Sequence, residues 1–565
     1  MLLRNRLGAI AAIAVILSAS AFTLAETRYE PKDTRLLLFI ALDQARYDYL
    51  ERFRPAFSGG LKTILDKGVA FSDAHHDHAK TATAAGHATL ASGSYPGHSG
   101  IIANEWFDRD SKKRMYSFRD SSQPLLTPNS TSGGSSSSST SSSSGRSPKN
   151  LLRTTLGDWL KETSPQSKVF SMSGKDRAAI PMGGKSADAA YWYDGRTGQL
   201  ITSRYYMREY PSYMKEFHER KIADSYFGKA WKPLSVEAEM YEKMGIQPLD
   251  RGVFLWDLPH PLGGASFTPS TGFYSAFYRS PYMDAYLIEL ARTIVAHESL
   301  GKDSHLDILA LGFSVLDLVG HDYGPNSPEV LDVLLRLDRN LGDFLEELDE
   351  AIGMEHIAIA LGGDHGVMII PEVLQATGVE AKRFATDDVV CYQQAESKLD
   401  DRFGEEDWLM RDLYLDYEAI GKRNLRRRDV EDALAEILSQ CPSVKKVWTR
   451  TELETPTPSS DPFRDMYLHS FHPDRSADLF VQLEKYHLSR LFDGTTHGSP
   501  YDYDTHVPMV LVVPGITSQQ IAHRVHTVDL APTLAVLLGI PTPDDLDGID
   551  RTELIDSGGK SATTN

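Results

Sequence analysis

Short apolar segments, most of which run into acidic or imidazole side chains, constrain the fold of this chain more than any other feature. The segments are RLLLFIAL (35–42), LDILALGFS (306–314), HIAIALGGDHG (356–366) and VPMVLVVPGI (507–516). Continuous apolar runs of this length, bounded by polar residues, predict buried β-strands. Three of the four deliver Asp43, Asp317 and the Asp364–His365 pair at or just past their carboxyl ends.

Helical patterns separate these predicted strands. Ser327 and Pro328 suit the N-cap and the first position of a helix, in which apolar residues then recur at helical spacing. These apolar residues are Leu334, Leu337, Leu341, Phe344, Leu345 and Leu348. DLAPTLAVLLGIP (529–541) predicts another amphipathic helix with a Gly-Ile-Pro stop. Strands alternating with helices predict an α/β fold with a mainly parallel central sheet flanked by helices, and ligands bind beyond the carboxyl ends of such strands.

The N-terminus has the pattern of an export signal. Arg4 and Arg6 precede an apolar stretch from Leu7 to Leu17, and small residues follow up to Ala25. An uncleaved anchor is the alternative, but the apolar stretch is shorter than the roughly 20 residues of a membrane span. We therefore expect a signal peptide over 1–25, no stable span after cleavage, and a periplasmic or secreted protein.

Charge and composition bound the rest of the chain. A formal net charge of -19 over 565 residues argues against nucleic-acid binding, but does not exclude a small anionic substrate in a locally cationic pocket. A serine-rich tract at about 130–147 is too poor in apolar residues to fold, and predicts a flexible loop. We expect one catalytic domain over 26–565, with insertions at about 181–300 and 370–490 that wall or cap its site.

The chain has two cysteines, Cys391 and Cys441. Export permits a disulfide between them, and two buried free thiols are the alternative, because sequence does not give their separation in space. Neither cysteine lies in a motif that favours thiolate activation, which argues against a catalytic role.

Carboxylates and imidazoles near the predicted strand ends suit zinc or a similar ion. Asp317 and His321 stand four residues apart, Asp364 and His365 are adjacent, and His497 follows later in the chain. Each pair alone is a weak signal, since such spacings occur often on solvated surfaces. Together with Asp43 they supply donors for two zinc-like sites, and a pair of metals is suited to in-line displacement at phosphorus.

The segment TATAAGHATLASGSYPGHSGIIANEW (81–106), taken with this set of predicted ligands, has the pattern of a known family. With the acids and histidines above, it resembles the alkaline phosphatase superfamily over essentially the whole mature chain. Within that superfamily it resembles the threonine-nucleophile branch, shared by nucleotide pyrophosphatase/phosphodiesterases and some periplasmic alkaline phosphatases. The resemblance implies that Thr83 is the nucleophile and that Asn104, 21 residues later, binds a phosphoryl oxygen.

A further segment separates two groups within this branch. SMSGKDRAAI (171–180) supplies Lys175 and Arg177, and with DQARYDYL (43–50) and ADAAYWYDG (187–195) it resembles the PafA-type monoesterases. The resemblance implies that Lys175 and Arg177 bind the non-bridging oxygens of a phosphate dianion. The charge argument is independent of it, because a monoester carries a negative charge that a diester lacks, and Arg and Lys are suited to bind phosphate oxygens.

The same resemblance implies two zinc ions and a phosphothreonine intermediate. The implied ligands are Asp43, Thr83, Asp364 and His365 for the ion that activates the nucleophile, and Asp317, His321 and His497 for the ion that faces the leaving group. The expected substrates are small-molecule phosphate monoesters, and the oligomeric state is left open.

Other histidines are assigned supporting roles. His75, His76 and His78 lie before the nucleophile, where support of its loop is expected rather than a third metal site. His87 is expected to be structural in the first turn of the helix that Thr83 begins, and His98 to serve the turn before Asn104. His506 competes with His497 as a ligand, and the resemblance favours His497, with Asp504 and His506 behind it.

Two other functions remain open at this stage. A phosphodiesterase or nucleotide pyrophosphatase would use the same metals and Thr83, and Lys175 and Arg177 argue against it. A non-catalytic binding protein would require damaged ligands, and every predicted ligand position holds a competent side chain. A sulfatase is disfavoured, because Thr83 does not begin a C/S-x-P-x-R pattern.

Overall fold

The predicted apolar segments lie side by side in one central sheet of the computed structural model. The structure describes residues 33–128, 145–234, 238–246, 258–263, 267–455 and 459–555, which belong to one compact unit. The predicted signal peptide (1–25) and residues 130–144 of the serine-rich tract lie outside the described residues. None of the helices described is both long and apolar enough to cross a membrane.

The strands of the described residues, in chain order, are β1 (Leu36–Leu42), β2 (Val69–Phe71), β3 (Ala74–His75), β4 (Glu105–Asp108), β5 (Lys113–Tyr116), β6 (Leu125–Leu126), β7 (Val169–Ser173), β8 (Ala189–Asp194), β9 (Gln199–Ser203), β10 (Ala230–Trp231), β11 (His260–Pro261), β12 (Asp307–Phe313), β13 (Ile357–Gly363), β14 (Lys382–Arg383), β15 (Leu409–Arg411), β16 (Tyr414–Leu415), β17 (Val444–Thr449), β18 (Leu479–Leu483), β19 (His487–Leu488), β20 (Met509–Val512), β21 (Gln519–Ile521) and β22 (Val525–His526).

The α-helices of the same residues are α1 (Tyr47–Arg52), α2 (Gly60–Lys67), α3 (Thr83–Ser92), α4 (Pro96–Ser99), α5 (Leu156–Thr163), α6 (Asp176–Gly183), α7 (Ser212–Glu219), α8 (Ala238–Lys243), α9 (Thr271–Tyr278), α10 (Tyr282–Glu298), α11 (Val315–Tyr323), α12 (Pro328–Ile352), α13 (Pro371–Ala376), α14 (Thr386–Gln393), α15 (Ala395–Phe403), α16 (Tyr417–Lys422), α17 (Arg427–Leu438), α18 (Arg450–Glu454), α19 (Arg464–Ser470), α20 (Asp502–Thr505) and α21 (Leu530–Leu538).

The central sheet has ten strands in the order β21-β2-β20-β13-β1-β12-β7-β8-β9-β6. Its middle strands, from β13 to β8, are parallel, and every residue of β1, β12 and β13 is buried. Strands covered on both faces require continuous apolar sequence, which explains the unbroken runs. The α/β prediction is confirmed, with one refinement: the predicted strand near the C-terminus, β20, is antiparallel to β13.

The register of the three central strands brings their carboxyl ends to one level. Leu42, the last residue of β1, pairs with Phe313 of β12 and with Gly363 of β13. The next residues in the chain are therefore at the same edge of the sheet, and two of them are Asp43 and Asp364. This edge is the position at which α/β folds bind ligands.

Both predicted helices are confirmed. The Ser327 side chain caps α12 by accepting a hydrogen bond from the Val330 backbone N–H at 3.2 Å, and Pro328 is the first helical residue. All six predicted apolar positions of α12 are buried. The C-terminal pattern forms α21, which ends at Gly539 in the left-handed conformation.

The two stretches predicted as insertions differ in structure. The first, 181–300, contributes β8 and β9 to the central sheet. Every residue of β8, with the sequence AAYWYD, is buried. The second, 370–490, builds α13 to α19 and the β17–β18 pair, with an apolar cluster of its own around Trp408 and Leu434. Its role as a cap remains a prediction.

The end of the serine-rich tract differs from the predicted flexible loop. The Gly145 carbonyl oxygen accepts a hydrogen bond from the Asp120 backbone N–H at 2.9 Å, and Ser147 Oγ donates to Asp120 Oδ2 at 2.6 Å. Arg146 forms an ion pair with Asp176 at 2.5 Å. These contacts hold residues 145–147 against the folded domain, and the flexible loop remains a prediction for the residues before them.

A disulfide joins Cys391 and Cys441, which answers the question that the sequence left open.

We predict that reduction lowers the free energy of unfolding of the 370–490 region. The bond closes a loop with a sequence separation of 50 residues, for which chain entropy gives about 4 kcal/mol. Thermal unfolding with and without dithiothreitol measures the effect, and a Cys391→Ser/Cys441→Ser variant serves as a control that reductant leaves unchanged. Equal unfolding temperatures for oxidised and fully reduced wild type would contradict the prediction.

Candidate metal and phosphoryl-transfer site

The predicted site residues converge at the carboxyl edge of the central sheet. Asp43 directly follows β1, Asp364 and His365 directly follow β13, and α11, which follows β12, carries Asp317 and His321. A loop before α20 supplies His497, and α3 begins at Thr83. Asp43, Thr83, Asp364 and His365 are fully buried. Burial of four polar side chains costs free energy of folding unless the groups are paired or bind cations.

Asp43, Asp364 and His365 form the first group of donor atoms. One atom from each lies within 4.8 Å of the others, with His365 Nε2 at 3.6 Å from Asp43 Oδ1 and 3.4 Å from Asp364 Oδ2. Asp43 Oδ1 and His365 Nε2 have no hydrogen-bond partner among the described residues, whereas His87 Nδ1 lies 3.0 Å from Asp364 Oδ2. His365 Nδ1 lies 3.0 Å from the Gly366 carbonyl oxygen, to which it donates, so Nε2 keeps its lone pair. Unpartnered carboxylate and imidazole atoms are the ligands that zinc accepts.

Asp317, His321 and His497 form the second group of donor atoms. Asp317 Oδ1 lies 3.2 Å from His321 Nε2 and 3.6 Å from His497 Nε2. Each ring is oriented through its other nitrogen: His321 Nδ1 donates to the Thr495 carbonyl oxygen at 2.8 Å, and His497 Nδ1 to that of Thr81 at 2.7 Å. These bonds leave both Nε2 atoms free to bind a metal, because backbone carbonyls that accept from one ring nitrogen commonly orient ligating histidines.

The two donor groups adjoin each other. The rings of His365 and His497 are stacked with centroids 3.5 Å apart, and Asp317, His365 and His497 also have donor atoms within 4.8 Å of one another. The donor set therefore fits two neighbouring divalent ions.

The Lys175 ammonium lies between the two donor groups. Lys175 Nζ is 2.6 Å from Asp43 Oδ2, 2.5 Å from Asp317 Oδ2 and 3.4 Å from Thr83 Oγ1. Although burial opposes it, this charge and those of His321 and His497 hold the pKa of Asp317 well below its usual range. Burial raises the pKa of Asp43 to about 8, and the neighbouring charge of Asp364 adds to this effect. The cluster of acids is thus short of positive charge.

The nucleophile candidate and Asn104 meet at the start of α3. Thr83 is the first residue of that helix, and the next backbone N–H, of Ala84, donates to Asn104 Oδ1 at 2.9 Å. Helix N-termini carry partial positive charge and favour anions. The hydroxyl of Thr83 therefore lies where a phosphoryl group would find electrostatic support from the backbone.

Arg177 lies in the first turn of α6, two residues beyond Lys175. Burial opposes its charge, but the neighbouring Tyr116, Tyr278 and acidic groups that include Asp43 raise the pKa of Arg177. Its Nε has no hydrogen-bond partner among the described residues. The guanidinium is therefore charged and has an uncommitted donor.

Gln44 is a site residue that the sequence reasoning missed. Its backbone N–H donates to Asp364 Oδ1 and its side-chain Nε2 donates to Asp317 Oδ1, both at 2.9 Å. It is fully buried and has a left-handed backbone, with φ of 66°. One residue thus fixes an acid from each donor group. Its only signal in the sequence was its place directly after the strand-end Asp43.

Gly86 and His87 fix α3 against the end of β13. A Cβ on Gly86 would lie 2.0 Å from the Asp364 carbonyl oxygen, so only glycine permits this approach. His87 Nδ1 donates to the Thr83 carbonyl oxygen at 2.9 Å and lies 3.0 Å from Asp364 Oδ2. His87 is in the helix that Thr83 begins, as predicted, and also contacts a candidate metal ligand.

The remaining histidines lie outside both donor groups. His76 Nε2 lies 2.9 Å from the Gly363 carbonyl oxygen, directly before Asp364, and His78 is buried among histidines without a hydrogen-bond partner in the described residues. His98 lies 2.7 Å from Asp547 and is largely exposed. His506 stacks on His75 with ring centroids 4.4 Å apart, and it is not grouped with Asp317.

The loops that carry His365 and His497 are tied together by Asp504. Its Oδ2 accepts hydrogen bonds from the Ser499 backbone N–H at 2.9 Å and the Ser499 hydroxyl at 2.6 Å. Its carbonyl oxygen accepts from the Gly366 N–H at 2.7 Å. Asp504 thus lies behind the two ligand candidates rather than among them.

Comparison with known proteins assigns the family. Residues 37–488 match the family described as type I phosphodiesterase / nucleotide pyrophosphatase, and the chain belongs to that family. Alkaline phosphatase PafA of Elizabethkingia meningoseptica is 30% identical over 92% of this chain and 94% of its own length. A protein of Myroides odoratus named calcium-transporting ATPase is 31% identical over 92% of this chain and 95% of its own length. The crystal structure of wild-type alkaline phosphatase PafA matches with a TM-score of 0.81 and 29% identity, over 93% of this chain and 99% of that chain.

We predict that Gln44→Ala weakens metal binding. The substitution removes the hydrogen bond to Asp317 but keeps the backbone bond to Asp364, and loss of such an orienting partner typically costs about 10- to 100-fold in metal affinity. Competition with a chelator, read as bound zinc per chain, measures the affinity. Gln520→Ala, at an exposed position on β21, is the matched control. Equal zinc retention in both variants would show that Gln44 does not position the ligands.

Proposed function

We propose that this protein is a zinc-dependent alkaline phosphatase that hydrolyses phosphate monoesters through a phosphothreonine intermediate. The observation that carries the proposal is the position of Thr83, which is the first residue of α3. Its hydroxyl lies 3.4 Å from Lys175 Nζ, beside both groups of donor atoms. The similarity to alkaline phosphatase PafA in sequence and fold supports it. We also propose that the chain is exported to the periplasm or secreted, on the basis of its N-terminal sequence.

The proposed zinc ligands are Asp43, Thr83, Asp364 and His365 for one ion, and Asp317, His321 and His497 for the other. When bound, two such ions would supply Lewis-acid stabilisation of negative charge on the attacking and the leaving oxygen.

Thr83 carries the covalent chemistry in this proposal. Its Oγ1 attacks phosphorus, a bond from Oγ1 to phosphorus forms, and the bond from phosphorus to the ester oxygen breaks. The alcohol departs with the bonding electrons and a proton. A water molecule then attacks the phosphothreonine, releases inorganic phosphate and returns the Thr83 hydroxyl. Atoms and charge balance without any further reactant.

Asn104, Lys175 and Arg177 bind the phosphoryl oxygens during both steps. Lys175 Nζ is already within 3.4 Å of Thr83 Oγ1, and the Asn104 amide lies at the same helix end. Donors fixed before the reaction stabilise developing charge without reorganisation. Two cations next to one amide provide more positive charge than a diester monoanion requires, which favours a monoester dianion.

We predict that Thr83→Ala retains zinc but loses turnover of p-nitrophenyl phosphate by about 10³-fold or more, as expected when a covalent nucleophile is removed. Acid quenching with ³²P-labelled substrate should trap phosphothreonine in wild type and not in the variant. Thr89→Ala, on the same helix and also buried, is the matched control and keeps both activity and label. Unchanged turnover in Thr83→Ala would mean that the nucleophile is wrongly assigned.

A second candidate is a phosphodiesterase, because the family description itself names that activity. The preference between the two is testable in one protein. We predict that wild type hydrolyses p-nitrophenyl phosphate in preference to bis-p-nitrophenyl phosphate. A strong diester preference in wild type would refute the monoesterase proposal.

We further predict that Arg177→Ala and Lys175→Ala lower kcat/KM for the monoester about 10- to 100-fold more than for the diester, the range expected for hydrogen bonds to a charged group. Zinc content is measured in parallel, because loss of Lys175 also leaves Asp43 and Asp317 without their ammonium partner. Lys149→Ala, at an exposed position, is the control. Equal losses on both substrates at full zinc content would show that these cations do not select the dianion.

A further inference from the structure

A cavity of about 340 Å³ lies between the β4–β5 hairpin and the 370–490 region, next to the proposed site. Two of its lining residues adjoin site residues in the chain, and a third lies close to one. Ala103 precedes Asn104, Gly498 follows His497, and Lys80 stands three residues before Thr83. The volume is within the range of small-molecule pockets.

The walls of the cavity are largely aromatic. Trp106 comes from the hairpin, and Tyr414, Tyr467 and Phe480 come from the 370–490 region. Each of these four side chains is at most 7% exposed, so their positions are fixed by packing. Aromatic walls of this kind favour a planar apolar group, because ring faces and edges stack at low entropic cost.

The charged residues at the cavity divide into paired and unpaired groups. Arg114 forms ion pairs with Glu105 and Asp412, so these three charges are committed to one another. Within the described residues no carboxylate oxygen lies within 4.0 Å of Lys80 Nζ. The Lys80 backbone is nevertheless fixed, because its N–H donates to Ser470 Oγ at 3.2 Å. The Lys80 ammonium therefore stands at an aromatic cavity without a direct ion pair; burial lowers the pKa of Lys80, and the charge of Asp412, beyond ion-pair distance, opposes this effect.

The space beside Gly498, which lines the cavity and follows His497 in the chain, is open. A Cβ at this position would meet only the Thr81 carbonyl oxygen, at 3.9 Å. In an in-line displacement the leaving oxygen points away from Thr83, on the side of the second donor group. His497 belongs to that group and Gly498 follows it, so the alcohol of a bound ester would be directed towards the cavity.

We propose that this cavity binds the leaving group of the ester, and that it selects an aromatic alcohol with an anionic substituent. The ring packs against Tyr467 and Phe480, and the anion pairs with Lys80. The inference rests on the proposed phosphatase activity and adds the class of substrate to it. An aliphatic ester of the same phosphate group gains none of these contacts.

The test compares kcat/KM for methyl phosphate, phenyl phosphate and 4-carboxyphenyl phosphate in wild type and three variants. Lys80→Met removes the cation and keeps the length of the side chain. Ala477→Trp fills part of the cavity with a large side chain from a half-buried lining position, and it removes none of the wall residues. Lys62→Met, on the exposed face of α2, is the matched control. Zinc content and folding are checked for each protein.

We expect Lys80→Met to lower the ratio of 4-carboxyphenyl to phenyl phosphate by about 10-fold, the discrimination available to one well-placed group. We expect Ala477→Trp to lower the ratio of phenyl to methyl phosphate by a similar factor, and Lys62→Met to leave both ratios as in wild type. Ratios within twofold of wild type in both cavity variants would overturn the subsite while the phosphatase assignment stands. Failure of zinc-loaded wild type to hydrolyse any of the three esters would overturn the phosphatase assignment itself.

Discussion

The parallel register of β1, β12 and β13 is the constraint on which the rest of the structure depends. Because Leu42 and Gly363 pair across the sheet, the two following acids, Asp43 and Asp364, emerge together into the interior. A carboxylate buried without a counter-charge is strongly destabilising. Neighbouring elements therefore supply positive charge or donors: Lys175 between the acids, His87 beside Asp364, and the Gln44 amide bridging to Asp317.

These compensating groups also determine what chemistry the site supports. The histidine Nδ1 atoms bind carbonyl oxygens of Thr81, Thr495 and Gly366, and this leaves the Nε2 atoms directed at the acids. The carbonyls lie on loops that the sheet edge and Asp504 hold in place. A donor set fixed in this way is preorganised for cations, and binding them replaces unfavourable acid–acid repulsion with attraction. Stability of the edge and capacity for metal-assisted chemistry therefore have the same origin.

Much of the fold could be predicted because its signals are local. Fully buried parallel strands demand unbroken apolar runs, and the N-cap at Ser327 has a short-range signature. Strand ends also predicted where Asp43, Asp364 and His365 would meet. The bond from Gln44 to Asp317 spans 273 residues, and the ion pair of Lys175 with Asp43 depends on how α6 packs on the sheet. The Cys391–Cys441 pairing and the anchoring of residues 145–147 to Asp120 likewise depend on tertiary distances that composition does not encode.

In the function proposed above, the surroundings of Thr83 divide the recognition of a phosphate ester into two parts. On one side Lys175, Arg177 and the start of α3 provide fixed positive charge, which distinguishes esters by the charge of the phosphoryl group. On the other side the β4–β5 hairpin and the 370–490 region enclose aromatic surface, which distinguishes esters by the shape of the alcohol. Because the two surfaces belong to different segments of the chain, sequence change in the 370–490 region can alter the preferred alcohol without moving the donors at the sheet edge. In this proposal a strongly acidic protein binds an anionic substrate through Lys175 and Arg177, which lie near the start of α3, where backbone N–H groups also favour negative charge.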